Sequence, residues 1–296
     1  KTVVIGGHPS ALPERTLRET WADYVAQGEG VVTLAGLLTM LREKSSDCGT
    51  IPGLWYWNGT ESAKFTFPAM NVSKLDEEFP AMAWDLLPMR KYRAHNWHCN
   101  YDDEARQPYG SLYTSRSCPF LCRFCCIRTP FKSDPTAKAE GFGMFSPDWV
   151  IERIDELVAM GIRNIKFADE MFVLNPKHVL GICDAIIERK FDLNIWAYAR
   201  VDTIKDGMLP RLREAGFRWL GLGIEAGSAK VRDEQDKSIT EEEIFATIEE
   251  CRKYDVSVGA NYIFGLPEDD DETMLATLDL AKTLNTEYAN FYCAVA

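Results

Sequence analysis

From residue 110 to its end the chain alternates short β-branched, aromatic and small-residue runs with helical stretches that carry their own start and stop signals. Strands are expected near Ser111–Ser115, Asn164–Ala168, Leu193–Ala199, Trp219–Ile224, Ser257–Phe264 and Tyr288–Ala294. Ser146 caps a helix with Pro147 in its first turn, which runs over Val150–Met160 until Gly161 stops it. Asn175 and Pro176 open the next, through Arg189, Gly216 ends another, and Thr240 with Glu243 forms a capping box ahead of Ile244–Tyr254. Strands separated by helices pair in parallel, because a parallel neighbour needs a crossover long enough to hold a helix. The repeat predicts an α/β protein with a partial (β/α)6 barrel over 110–296. In such barrels the chemistry sits on loops at the C-terminal strand ends.

The loop after the first of these strands reads Ser117-Cys118-Pro119-Phe120-Leu121-Cys122-Arg123-Phe124-Cys125-Cys126. Cys118, Cys122 and Cys125 have a C-x3-C-x2-C spacing, and thiolates this close in sequence hold iron–sulfur clusters. A structural zinc site completed by Cys126 or Cys99 is an alternative reading, and disulfides are another. Cys126 breaks the spacing and reads as a small buried residue.

Net charge is −12, so the chain lacks the basic stripe of a nucleic-acid binder. No apolar run approaches the ~20 residues needed to span a bilayer, and no signal peptide opens the chain. Nine cysteines in 296 residues do not form a secreted disulfide framework, and a reducing cytoplasm suits them.

Residues 1–45 read as β-α-β-α: a strand at Lys1–Ile5, a loop Gly6–Glu14 entering a short helix, a strand Tyr24–Ala26, a turn Gln27–Gly30 and a helix Thr33–Glu43. This is the pattern of a doubly wound sheet, where ligands lie at glycine-rich strand ends. Residues 46–109 are irregular, apart from Gly53–Trp57 and Lys64–Phe67, which alternate around Asn58-Gly59 as a hairpin. Trp84, Tyr92, Trp97 and Tyr101 read as staples of a linker, with a cavity lining as the alternative. A strand near the first residue and a strand near the last make the chain read as a fragment of a longer protein.

The cysteine spacing, with Phe124 directly before the third cysteine, resembles the radical S-adenosylmethionine enzymes. The resemblance covers the whole chain and is strongest from 110 to 270. It implies a TIM-like partial barrel and a [4Fe-4S] cluster on Cys118, Cys122 and Cys125. The open iron is chelated by the amino and carboxylate groups of S-adenosylmethionine, whose one-electron cleavage yields a 5′-deoxyadenosyl radical. It also places Phe124 against the S-adenosylmethionine. Asp169 or Glu170, in Phe167-Ala168-Asp169-Glu170, occupies the place of the family's acidic motif for the methionyl ammonium. Glu225 matches the ribose position, and Lys237 or Arg200 is the expected partner of the methionyl carboxylate. Asn261, in Asn261-Tyr262-Ile263-Phe264-Gly265-Leu266-Pro267-Glu268, replaces the first glycine of the family's Gly-x-Ile-x-Gly-x-x-Glu region beside the adenine.

Because Gly6, Gly7, His8, Gly28 and Glu29 precede the cysteine loop, residues 1–45 resemble the C-terminal part of a Rossmann-like cobalamin-binding domain. That domain marks the cobalamin-dependent branch of the family, with 46–109 as its linker to the barrel. The implied activity is a cobalamin-dependent methyltransferase acting on an unactivated carbon of a small-molecule substrate. Its implied electron donor is flavodoxin or ferredoxin. The alternatives are a radical cyclase or rearrangement enzyme with the same cofactors, and an iron–sulfur electron-transfer or binding module. No side chain stands out as the group that acts on substrate, and the substrate itself is not legible.

Overall fold

The structure, a computed structural model, describes residues 1–59, 62–131 and 141–294. The chain divides into two compact units, one of Lys1–Phe79, Ser117–Phe120 and Cys125–Gly143, the other of Pro80–Arg116, Leu121–Phe124 and Met144–Ala296.

The first unit holds a four-stranded sheet in the order β1-β2-β3-β4. Its strands are β1 (Val3–Val4), β2 (Tyr24–Ala26), β3 (Leu54–Asn58) and β4 (Ser62–Phe65). β1 and β2 are parallel, as a β-α-β unit requires. The hairpin, read from sequence as part of the linker, instead extends this sheet, because Val25 pairs antiparallel with Trp55. Alternation sends Val25, Trp55 and Trp57 to one face with Leu17, and Leu54 and Tyr56 to the other with Leu37 and Met40. The helices Pro13–Thr20 and Val31–Arg42 therefore cover opposite faces. Gly6–Glu14 departs from the expected open loop: Gly6, at φ 119°, leads directly into a helix over Gly7–Ala11.

The second unit holds six parallel strands: β5 (Tyr109–Leu112), β6 (Asn164–Phe167), β7 (Asn194–Ala199), β8 (Phe217–Glu225), β9 (Ser257–Phe264) and β10 (Tyr288–Cys293). Their order in the sheet is their order in the chain. Each crossover therefore steps one strand in the same direction, which makes a partial barrel rather than a doubly wound sheet. Ile165, Phe167, Ile195, Ala197, Leu220, Leu222, Val258 and Ala260 are fully buried on its helix-covered face. The inner face carries Lys166, Trp196, Tyr198, Trp219, Gly221, Gly259 and Asn261, the alternate positions of the same strands. No described helix is long and apolar enough to cross a membrane.

At the strands' N-terminal ends, the Trp97 ring lies 5.3 Å from Trp196, 4.9 Å from Trp219 and 5.7 Å from Tyr288, centroid to centroid. Beside it the buried His98 contacts the Asn194 carbonyl at 3.0 Å, and burial lowers its pKa to about 4, so it is neutral. The segment thus packs across the barrel floor.

Candidate functional site

The cysteine loop leaves β5 earlier than the alternation suggests. Thr114 and Ser115, expected in the strand, instead turn onto Asp169, which follows β6. Asp169 accepts from the Thr114 amide at 3.0 Å, the Thr114 hydroxyl at 2.9 Å and the Ser115 hydroxyl at 2.5 Å. Burial pushes the Asp169 carboxyl up, while these donors pull against that shift. With 0% exposure, its oxygens are turned inward and occupied. The neighbouring Glu170 is exposed. Of the acidic pair, then, Asp169 anchors the loop and Glu170 leaves its carboxylate exposed. Asp169→Ala leaves buried donors unmatched and is expected to cost about 3 kcal/mol. Denaturant titration checks this, with Glu170→Ala expected to stay within about 0.5 kcal/mol of the parent.

None of the loop cysteines is in a disulfide: Cys118 and Cys122 are half-buried, and Cys125 and Cys126 are exposed. Cys126 is therefore not the buried residue expected. It sits at the start of a tight turn whose Thr129 amide donates to the Cys126 carbonyl at 2.9 Å, with no element to cover its side chain. Among the described residues no three His, Cys, Asp or Glu side chains stand close enough to hold a single metal ion. A cluster asks for something different, since each thiolate takes its own iron and the sulfurs need not converge on one point. Three unoxidised, partly accessible thiols on one short loop are a donor set that fits a cluster.

Arg200, at the end of β7 and 5% exposed, donates from Nη1 to the Cys122 sulfur at 3.4 Å. Its guanidinium is gripped by Asp202 at 2.9 and 3.0 Å. Burial pushes the Asp202 carboxyl up, but Arg200 outweighs it and holds the group below the usual range. Asp202 gave no sequence signal, because its role depends on Arg200 being buried.

Glu225 ends β8 at φ 68°, just past a bulge where the pairing with β9 slips from Gly223↔Asn261 to Glu225↔Tyr262. The bulge folds its carboxylate back over Gly223, where it pairs with Lys237. Both side chains are nearly inaccessible, at 9% and 4%. Sequence reasoning gave them separate targets, but the structure brings them together. Asn261, on the inner face of β9, donates to the Leu222 carbonyl at 3.3 Å and accepts from Asn290 at 3.1 Å.

Phe124 packs on Ala226, Val231, Leu266 and Ile263. With Ile263, Gly265, Leu266, Pro267 and Tyr292 it lines a hollow of about 520 Å³ at the C-terminal ends of β9 and β10. Arg123, Glu234, Gln235 and Glu268 also line it, so its wall is mixed apolar and charged.

In the first unit, Gly28 (φ 97°) donates its amide to the Ser10 hydroxyl at 3.0 Å, and Ser10 donates to the Gly6 carbonyl at 2.7 Å. Glu29 accepts from the Val72 amide at 2.8 Å, so its carboxylate ties down the chain after the hairpin. His8 is exposed on the short helix after Gly6 and Gly7.

Comparison with known proteins places these features. An uncharacterized methyltransferase of Pyrococcus horikoshii is 31% identical over 99% of this chain and 60% of its own length. An anaerobic magnesium-protoporphyrin IX monomethyl ester cyclase of Rubrivivax gelatinosus is 25% identical over 98% of this chain and 50% of its own. The chain thus spans about half the length of the curated relatives it matches. Among solved structures, the radical S-adenosylmethionine methyltransferase TsrM from Kitasatospora setae, with cobalamin and a [4Fe-4S] cluster bound, superposes with a TM-score of 0.73. At 22% identity over 98% of this chain and 54% of that one, it shows a shared fold. Residues 112–281, more than half of the chain, match the family model of the Radical SAM superfamily, from β5 through the cysteine loop to the helix after β9. The chain belongs to the radical SAM superfamily.

Proposed function

We propose that the chain is the cofactor-binding portion of a radical S-adenosylmethionine enzyme, a cobalamin-dependent methyltransferase acting on a small molecule. The observation that carries the proposal is Phe124, which stands between the cysteines of the loop and lines the hollow at the β9 and β10 strand ends. A molecule in that hollow abuts the cysteine loop. Cys118, Cys122 and Cys125 would hold the cluster, which with S-adenosylmethionine supplies a carbon-centred oxidant by one-electron reduction of the sulfonium.

The chain's own residues orient the nucleotide. Glu170 accepts from the methionyl ammonium. Glu225 accepts from ribose hydroxyls, with Lys237 holding it in place; a carboxylate is acceptor-only and takes two such donors. Arg200 faces the Cys122 sulfur, and Asn261 presents an amide toward the ribose or adenine. The Phe124 wall excludes water from the base. The corrinoid contacts are Gly6, Gly7, His8 and Gly28, with Glu29 positioning the turn. A flavodoxin or ferredoxin in the cytoplasm supplies the electron. The methyltransferase reading is supported by the 31% identical relative, and the 25% identical cyclase favours a radical cyclase as the second reading.

The test is anaerobic reconstitution with iron and sulfide, followed by assay for 5′-deoxyadenosine under a chemical reductant. An electron-transfer module would carry a cluster and release none. The full-length protein purified with cobalamin supplied is expected to show corrinoid absorption. Its absence, with cleavage retained, removes the methyltransferase reading and leaves a cobalamin-free radical enzyme.

A further inference from the structure

Arg200 follows β7 directly, with its side chain buried, and its flat guanidinium serves two partners at once. Nε and Nη2 form a fork onto the two carboxylate oxygens of Asp202, at 2.9 and 3.0 Å. Nη1 donates to the Cys122 sulfur at 3.4 Å. The fork fixes the plane of the guanidinium, so Asp202 decides where Nη1 points. The turn that carries Asp202 is itself locked. The Arg200 amide donates to the Thr203 hydroxyl at 3.2 Å, and that hydroxyl donates to the Arg200 carbonyl at 2.9 Å. A lysine here could pair with either partner, but it has no plane with which to hold both.

The consequence for a cluster on Cys118, Cys122 and Cys125 follows from charge. Its thiolate ligands make it anionic, and the electron from the external donor adds one more negative charge. A cationic donor on a ligand sulfur stabilises the reduced form more than the oxidised form, and so raises the reduction potential. At 5% exposure Arg200 is largely out of reach of water that would compete for Nη1, which strengthens the contact. Asp202 carries the opposite charge on the same guanidinium and works the other way.

We infer that Arg200 tunes the reduction potential of the cluster upward through the Cys122 sulfur. Asp202 is then a positioning residue, which aims the guanidinium and offsets part of its charge. The inference rests on the radical enzyme reading above and names the residues that set how readily that site accepts its electron.

The test measures the cluster's potential in the anaerobically reconstituted full-length protein, without S-adenosylmethionine. A redox titration is read through the electron paramagnetic resonance of the reduced cluster. Arg200→Met is expected to lower the potential, so that the ratio of reduced to oxidised cluster at one solution potential falls roughly tenfold, about 59 mV for a one-electron couple. Arg200→Lys keeps the charge without the fork and is expected to lie between that variant and the parent. Asp202→Asn keeps the shape, removes the opposing charge and is expected to raise the potential. A pair with a merely structural role would leave all three potentials at the parent value or move them in one direction, and either result overturns the inference. If Arg200→Met takes up no cluster, Asp202→Asn decides: a raised potential supports the inference, and an unchanged or lowered one overturns it. A parent that holds a cluster but forms no 5′-deoxyadenosine once S-adenosylmethionine is added sinks the radical enzyme reading and leaves the role of Arg200 standing. A parent that takes up no cluster sinks both.

Discussion

Cys122→Ala is expected to eliminate the broad charge-transfer absorption of the anaerobically reconstituted protein, and 5′-deoxyadenosine formation should fall to background with it. The same holds for Cys118→Ala and Cys125→Ala, because three thiolates are the minimum that leave one iron open and still hold the other three. Cys126→Ala is the internal control. It sits next to Cys125 and is equally exposed, but it stands outside the C-x3-C-x2-C spacing. Its iron content and spectrum should match the parent's. A Cys126→Ala protein that loses its cluster beside a Cys125→Ala protein that keeps one would exchange the two assignments. Arg200→Met is a graded companion. The guanidinium contact to Cys122 at 3.4 Å goes, the ligand sulfur loses a charge-assisted hydrogen bond, and the cluster should form more slowly without being abolished.

What the sequence made legible follows from which interactions are local. The cysteine loop is a single short segment, so its spacing carries the chemistry in plain view. The barrel strands were equally visible, because caps such as Ser146, Asn175 and Thr240 act within one turn of their own helices. Asp169 and Glu170 are neighbours of the same type, and only folding separates them. Thr114 and Ser115 lie more than fifty residues away, and their hydroxyls decide which carboxylate is taken up internally. Lys166 is a polar residue inside an otherwise buried strand, Asn164-Ile165-Lys166-Phe167. That signal was present, but its meaning depends on Trp196 and Tyr198 across the sheet. The hairpin was legible from Asn58-Gly59, yet its attachment to β2 was not, because antiparallel pairing across a long sequence gap leaves no local mark. Cys126 was misread for a related reason: burial is the usual state of a free cysteine, and only its turn shows that nothing covers it.

Gly223→Ala is expected to damage the site as severely as removing a charged residue, although it changes one hydrogen to a methyl group. The slip in pairing between Gly223 and Glu225 turns the Glu225 carboxylate back over the strand, and the space above Gly223 is taken by the carboxylate and the Lys237 ammonium. A Cβ there would stand 2.6 Å from Lys237 Nζ. Neither group has room to retreat, since the Glu225 and Lys237 side chains are only 9% and 4% exposed. The methyl group therefore has to part the pair. Breaking a buried pair by removing one partner costs about 3–5 kcal/mol, because the remaining charge is left in a poorly solvated place. Lys237→Met should show that loss directly in denaturant unfolding, and Gly223→Ala should approach it with both charges still in the sequence. Coupling gives a sharper check. The Glu225→Gln, Lys237→Met double variant should be less destabilised than the sum of its singles, since each single change already breaks the same interaction. On binding, Glu225→Gln replaces an ionised acceptor, and S-adenosylmethionine affinity should fall roughly ten- to a hundredfold, matching about 1.5–3 kcal/mol for a hydrogen bond to a charged group. Iron content should stay at the parent level, because Glu225 does not touch the cluster loop's thiols in this assignment. A Glu225→Gln protein with full affinity would show that the pair is not the ribose anchor, and a Lys237→Met protein as stable as the parent would show that it is not a buried strut of the barrel.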